Sequence, residues 1–211
     1  MAVKVAIINY GMGNIQSVSN ALKFLGYHPS IADEAADLRD AEAYILPGVG
    51  AFGEAMHNLE NLGLIPTLED EVLGNKKALF GICLGMQLLA GSSEELGSHR
   101  GLGWIDAEIL PIPEKPLLRV PHVGWNQLKI HRKEPLFSRL DRDEHFYFDH
   151  SFYMQCRDEA AILATCDYGT EMAVAIRKEN IFATQFHPEK SQTAGLKLLR
   201  NFLNYAEASL C

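Results

Sequence analysis

The sequence predicts a three-layer α/β domain around a mixed, mostly parallel sheet. Three observations predict it. In the first half, short apolar runs alternate with helical patterns, which is how β-α-β units place helices on both faces of a parallel sheet. In the second half, strand-like runs follow one another too closely for crossover helices, so they read as antiparallel additions and hairpins. The chain then closes on an amphipathic pattern over 192–206, with Leu196, Leu199, Phe202 and Leu203 on one face.

Taken in order, 3–8 is an uninterrupted apolar, β-branched run, as expected of a strand buried on both faces. A helix over 15–25 carries Val18, Leu22 and Leu25 at helical spacing and stops at Gly26. Strands follow over 29–32 and 43–46, then helices over 52–62 and 64–73, a strand over 78–82 and a helix over 84–90. Further strands are expected over 104–110, 123–130, 145–152, 161–166, 172–176 and 181–185. No repeat or low-complexity linker interrupts the chain, so 1–211 reads as one domain.

Composition narrows the function classes. The 211 residues are 47% hydrophobic and 22% charged, which is globular and neither disordered nor fibrous. The longest nearly apolar stretch, 78–90, is too short to cross a bilayer, and the N-terminus lacks the basic segment and cleavage site of a signal peptide. No membrane association is expected. A net charge of −8 argues against a broad nucleic-acid face, which needs clustered Lys and Arg. The four cysteines, Cys83, Cys156, Cys166 and Cys211, form no C-x-x-C pair, so neither a disulfide framework nor a zinc ribbon is read. A reducing, cytosolic setting fits them, and the question becomes what four unpaired cysteines do.

The sharpest local signal is Gly81-Ile82-Cys83-Leu84-Gly85 between a strand and a helix. This is the nucleophile-elbow pattern with Cys in place of Ser. Glycines are needed where so tight a turn leaves no room for side chains. The turn lifts the thiol to a helix N-terminus, where the dipole and free N–H groups favour thiolate, and the Leu84 N–H becomes an oxyanion donor. A lone Cys is ordinarily a small core residue, and it is the full strand–turn–helix context that favours a nucleophile.

A Cys nucleophile needs a base. Of the eight histidines, His187 ends the strand over 181–185, where open α/β sheets place their sites. Glu189 lies two residues on, across Pro188, and a carboxylate there can fix the imidazole tautomer. Alone, His-Pro-Glu would be an ordinary loop; with the elbow upstream, Cys83, His187 and Glu189 form a candidate triad. Gly48, Val49 and Gly50 follow another strand and can supply the second oxyanion donor that acyl transfer profits from. Gly11-Met12-Gly13 is not a dinucleotide fingerprint, because Gln16 occupies the third glycine position. His145, Asp149 and His150 alternate with aromatics and do not converge, so no metal site is read.

Together these motifs resemble the class I (triad) glutamine amidotransferases. Within them, the stretches 9–15, 47–52, 121–126, 145–148 and 185–191 resemble the glutaminase subunits of imidazole glycerol phosphate synthases. The resemblance runs from about residue 4 to about 205 and implies a flavodoxin-like sheet and no metal or organic cofactor. It implies that Cys83 attacks the carboxamide of L-glutamine, that His187 moves the proton, that Glu189 orients His187, and that Gln87 and the segment His150, Ser151 and Phe152 hold the substrate. It also implies a heterodimer in which a (β/α)8-barrel synthase subunit takes the ammonia and forms imidazole glycerol phosphate and an aminoimidazole carboxamide ribotide in histidine biosynthesis. Interface candidates are Tyr10, Gly11, Met12, Asn14, His122, Trp125, Asn126 and Lys190. Tyr10 and Trp125 are read as anchors, with core packing as the equal alternative. Asp149 and Phe152 depart from the family pattern of an aliphatic residue and a Tyr, which puts a hydroxyl contact at 152 in doubt. Other readings stay open: a paralogue feeding a different synthase, a stand-alone cysteine hydrolase, or a non-catalytic interaction module.

Overall fold

In the computed structural model, which describes residues 2–116, 118–141 and 143–210, the apolar runs of the first half become the centre of one sheet. β1 (Val5–Ile8), β2 (Ser30–Ala32), β3 (Ala43–Gly48) and β4 (Ala78–Cys83) are parallel, in the order β2-β1-β3-β4. Every residue of β1, β3 and β4 is buried, as a continuous apolar run between two helix layers requires. Between the strands run α1 (Ile15–Phe24), α2 (Ala35–Arg39), α3 (Phe52–Asn61) and α4 (Leu64–Leu68), and α5 (Leu84–Gln87) follows β4.

Alternation along the strands divides the core into two layers. Val5, Ile7 and Phe80 pack with Val18 and Leu22 of α1, whereas Ala6, Ile8 and Leu79 pack with Phe52 and Leu59 of α3. The side chain of Asn14 caps α1 by accepting from the Ser17 N–H at 3.1 Å. Gly26, at φ 90°, takes the chain out in the left-handed conformation.

The second half adds β5 (Ser92–Ser93), β6 (His99–Arg100), β7 (Ala107–Pro111), β8 (His122–Gln127), β9 (Lys129–Ile130), β10 (His145–His150), β11 (Phe152–Cys156), β12 (Ile162–Asp167), β13 (Glu171–Lys178), β14 (Ile181–Thr184) and α6 (Gln192–Ala208). β14 returns to the centre and pairs in parallel with β4. β13, β11 and β7 continue outward antiparallel, while β8 and β10 form a separate antiparallel ribbon. α6 lays Leu198, Leu199, Phe202 and Leu203 on the layer shared with α1. Among the described residues, no helix is long and apolar enough to cross a membrane.

Several expectations change in detail. The strand over 145–152 is two strands, because the chain turns at Ser151 from the ribbon into the main sheet. The helix over 84–90 is one turn, and the helix over 64–73 passes from α4 into a π-helical turn, Glu69–Gly74. α2, β5 and β6 were not expected, since two to five residues are too few to show a period. α2 is held by the Asp37 carboxylate, which accepts from the N–H groups of Asp33 (3.0 Å) and Glu34 (3.1 Å).

The sheet register sets up the site. Gly48 lies opposite Cys83, and Ile82 lies opposite Thr184. The C-terminal ends of β3, β4 and β14 therefore stand side by side, with β4 in the middle.

Candidate active site

Cys83 sits at φ 54° and ψ −109°, immediately before α5. A non-glycine residue rarely adopts such a backbone, and it persists here because the surroundings leave no alternative. A Cβ on Gly81 would stand 2.9 Å from the Gly85 carbonyl oxygen, and one on Gly85 would overlap the carbonyl oxygen of Leu46. A Cβ on Gly48 would stand 2.5 Å from Tyr10 Oη and 2.7 Å from Leu84 Cβ. The three glycines let β3, β4 and α5 close on one another, and Cys83 is aimed by that closure into a pocket of about 250 Å³.

His187 enters from the end of β14. Its Nδ1 lies 2.8 Å from Glu189 Oε1, and the two side chains are 3% and 1% exposed. Burial alone would lower the His187 pKa. Hydrogen bonds to Cys83 and Glu189, with their negative charges, outweigh it and raise the imidazole to about 9. Since Nδ1 faces Glu189, Nε2 is the nitrogen left for the sulfur. The Ser191 hydroxyl fixes the turn, donating to the His187 carbonyl (2.6 Å) and accepting from the Tyr147 N–H (3.0 Å). Glu189 Oε2 is buried and has no protein partner.

The structure gathers most of the expected residues. Val49, Gly50, Leu84, Gln87, His150, Ser151 and Phe152 line the pocket with Cys83 and His187. Gly48 lies behind, backing the elbow, and Glu189 lies behind His187. The Leu84 N–H belongs to the first turn of α5, where no intrahelical partner exists. Gly50, at φ 105°, turns the chain beside it. Gln87 Nε2 donates to the Phe152 carbonyl at 3.1 Å, and His150 Nδ1 lies 2.8 Å from the same oxygen. Phe152 thus acts through its backbone, and the absent hydroxyl leaves these contacts intact. Position 149 does likewise: the Cys83 thiol donates to the Asp149 carbonyl at 3.8 Å.

The interface candidates divide. Tyr10 is corrected: it is 2% exposed and donates to the Pro47 carbonyl at 2.8 Å, so it is a core residue and not an exposed anchor. His122 is corrected too. It is buried, its ring stacked 4.7 Å from Phe148 and 3.9 Å from Tyr168, with Nδ1 3.0 Å from His150 Nε2. Asn14 is occupied as a helix cap, and Asn126 donates to the Asp167 carbonyl at 3.0 Å while remaining partly exposed. Met12 lies against Gly50, and Gly11 is exposed. Trp125 is 47% exposed and meets Tyr147 edge-on at 6.0 Å, while Lys190 Nζ lies over the Tyr147 ring, 5.6 Å from its centre.

Two residues of the site were not singled out from sequence. Glu95 reaches the pocket and accepts from the Phe52 N–H at 2.7 Å. Nothing local marks it, because an irregular segment delivers it. Gln185 is fully buried; its Nε2 lies 3.6 Å from Cys83 Sγ and its Oε1 accepts from Gln87 at 3.0 Å. Its signal was available, since a residue two before His187 in an extended run shares its side of the sheet.

The remaining cysteines separate from Cys83. Burial pushes the thiols of Cys156 and Cys166 up to about 12, leaving them protonated and unreactive. Cys211 lies outside the described residues.

Cys83 at the elbow and the His187–Glu189 pair stand at one small polar pocket, an arrangement able to carry out nucleophilic acyl transfer of the amidotransferase kind. The chain belongs to the glutamine amidotransferase class-I family, whose model matches residues 6–206. It is 47% identical over 199 residues to "Imidazole glycerol phosphate synthase subunit HisH 1" of Campylobacter jejuni (strain RM1221), covering 94% of this chain and 98% of that one. It is 45% identical over 205 residues to "Imidazole glycerol phosphate synthase subunit HisH" of Geobacter sulfurreducens, covering 94% and 97%. Among solved structures, a glutamine amidotransferase superposes with a TM-score of 0.76 at 24% identity over 96% of this chain and 98% of that one. PurLQS from Thermotoga maritima gives 0.75 at 18% identity over 97% and 99%. At such identities the two structures support the fold.

Proposed function

We propose that the chain is the glutaminase subunit of an imidazole glycerol phosphate synthase, and that Cys83, His187 and Glu189 are its catalytic residues. The observation that carries the reading is the buried Cys83–His187–Glu189 set at the head of a pocket sized for one amino acid.

The pocket's polarity suits glutamine. The Glu95 carboxylate and the free Oε1 of Gln87 are acceptors for the α-ammonium group. Backbone groups around Ser151 complete the contacts to the amino-acid end. The carboxamide then lies against Cys83. The imidazolium beside the sulfur favours thiolate, which attacks the carbonyl carbon. The oxyanion is met by the Leu84 N–H and by a backbone N–H of the 48–50 turn. His187 gives its proton to the departing ammonia, leaving a glutamyl thioester on Cys83. It then takes a proton from water, which attacks the thioester and releases glutamate. Glu189 holds Nδ1 throughout, so that Nε2 remains the working nitrogen. No step calls on a metal or an organic cofactor.

Ammonia leaves toward the partner. The (β/α)8-barrel synthase subunit docks over the pocket mouth, where Val49 is exposed, and over the exposed Val123 and Trp125 of β8, and it receives the ammonia. A reducing compartment, the cytoplasm, keeps Cys83 a free thiol. The test is glutaminase assay of the chain alone and with the barrel subunit, together with complementation of a histidine-requiring strain. The reading expects activity that rises strongly in the complex, disappears in Cys83→Ala and restores growth. Growth that is not restored would assign the ammonia to another synthase.

A further inference from the structure

One carbonyl orients the polar groups behind the nucleophile. The Phe152 oxygen can only accept, so the Gln87 atom 3.1 Å from it is the donor Nε2. The same Nε2 lies 3.0 Å from Gln185, so the Gln185 atom there is the acceptor Oε1. The remaining end of Gln185, the donor Nε2, is then the group 3.6 Å from Cys83 Sγ. Both N–H groups of Gln87 are engaged in this chain, which leaves its Oε1 for the pocket. Gln185 itself is fully out of solvent, so its amide has no water to turn toward.

We propose that Gln185 is a positioning residue of the glutaminase reaction: its N–H holds the Cys83 sulfur, and its carbonyl locks the Gln87 amide with Oε1 toward the substrate. The inference rests on the glutaminase reading above. A hydrogen bond to an ionised sulfur is charge-assisted and stronger than one to the thiol, so this donor favours the attacking form and holds it in one orientation. The same amide links nucleophile and substrate-holding residue, so neither can turn without the other. Among the described residues, the Gln185 side chain is hydrogen-bonded to Gln87 and Cys83 and not to His187, Glu95, Asp149 or Glu189, so replacing it removes no bond of theirs.

The test is Gln185→Met in the full chain with its barrel partner, since methionine keeps the shape and removes both polar ends. The expected result is a kcat lower by about 10- to 100-fold, the range for a hydrogen bond to a charged group, with a KM several-fold higher. Independently of turnover, alkylation of Cys83 by iodoacetamide, read on its own peptide by mass, slows about tenfold at pH 7 and recovers toward the native rate at pH 9.5. Recovery marks a changed ionised fraction, which loosened packing would not produce. An alkylation rate equal to native at pH 7, or equally slow at both pH values, overturns the proposal. If Gln185→Met melts below the assay temperature, Gln87→Met removes the anchor of the same amide. Alkylation then slows a few-fold at pH 7 and recovers at pH 9.5, and an unchanged rate is the overturning result. Because alkylation needs no glutamine, native alkylation without glutaminase activity would instead count against the glutaminase reading.

Discussion

Gly48 and Cys83 are register partners on adjacent parallel strands, and the missing side chain of the first gives the second its place. The turn after β3 and the elbow after β4 approach closely enough that Leu84, Tyr10 and Gly48 share one contact. The backbone of the 48–50 turn and the Cys83 elbow are thus fixed by the same packing.

Gly85→Ala should be among the most damaging single methyls in the described residues, with Gly195→Ala its equal in overlap. A Cβ on Gly85 would overlap the Leu46 carbonyl oxygen, which is backbone of a buried strand and cannot yield. A loss of more than about 3 kcal/mol is expected, seen as insoluble protein or a transition far below native in a denaturant melt. A melt within about 1 kcal/mol of native would show that β3 and α5 are not locked together.

Cys83→Ala and Cys83→Gly should both lack glutaminase activity but should differ in stability. Alanine keeps the Cβ that makes φ 54° unfavourable, and glycine does not. Of the roughly 1–3 kcal/mol stored there, part is offset by the greater chain entropy of glycine. Cys83→Gly should therefore unfold about 1 kcal/mol harder than Cys83→Ala by chemical denaturation, and the reverse order would remove strain from the account of the elbow.

His187 is raised to about 9 against an unfolded value near 6.5. Its protonated form is favoured in the fold, so the stability it contributes is complete below about pH 6.5 and is lost as pH rises through about 9. Glu189→Gln removes one of the charges that holds the proton. Thermal melts at pH 6 and pH 10 should show a smaller drop in the variant than in the native chain. Its glutaminase kcat should fall by at least about tenfold, as imidazole loses its orienting carboxylate.

His122 and His150 should act in the opposite sense. Burial is the main cause that depresses each to about 4; for His150 the contact with the Phe152 carbonyl opposes it and the neighbouring His122 and His187 add to it. The unfolded chain takes up these protons near pH 6.5 while the fold refuses them until about 4. Stability should therefore fall as pH drops from about 6.5 toward 4. Replacing His122 with Gln should flatten that slope in urea melts at pH 5 and pH 7. An unchanged slope would mean that other groups set the acid limb.

Trp125→Ala should weaken the complex with the barrel subunit at least tenfold in a titration while leaving the melt of the chain within about 0.5 kcal/mol, since the ring is 47% exposed. Tyr10→Phe should do the reverse. It leaves the affinity alone and lowers stability by about 1 kcal/mol through the lost bond to the Pro47 carbonyl.

The parallel centre of the sheet was legible because β1, β3 and β4 are buried on both faces, and such strands must be apolar without interruption. The elbow was legible because its glycines and cysteine are adjacent, and His187 with Glu189 because they are two residues apart. The break at Ser151 was not legible, since 145–156 is continuously strand-like and only the pairing partners change. Nor was the burial of Tyr10 and His122. An aromatic ring is equally suited to a core and to an interface, and its residue type does not say which side of the chain is covered.

The sequence by itself determined the fold class and marked Cys83 and His187 as candidates for nucleophile and base, because each depends on residues near one another along the chain or on a repeated local pattern. The tertiary structure alone decided what surrounds the sulfur. Glu95, Gln185 and the carbonyls of Asp149 and Phe152 come from segments far apart in sequence; strand register and loop path bring Gln185 and the Asp149 carbonyl to the sulfur, Glu95 to the same pocket and the Phe152 carbonyl to Gln87. A backbone carbonyl leaves no trace in residue identity, so only the folded chain shows that one of them orients Gln87, Gln185 and His150 together.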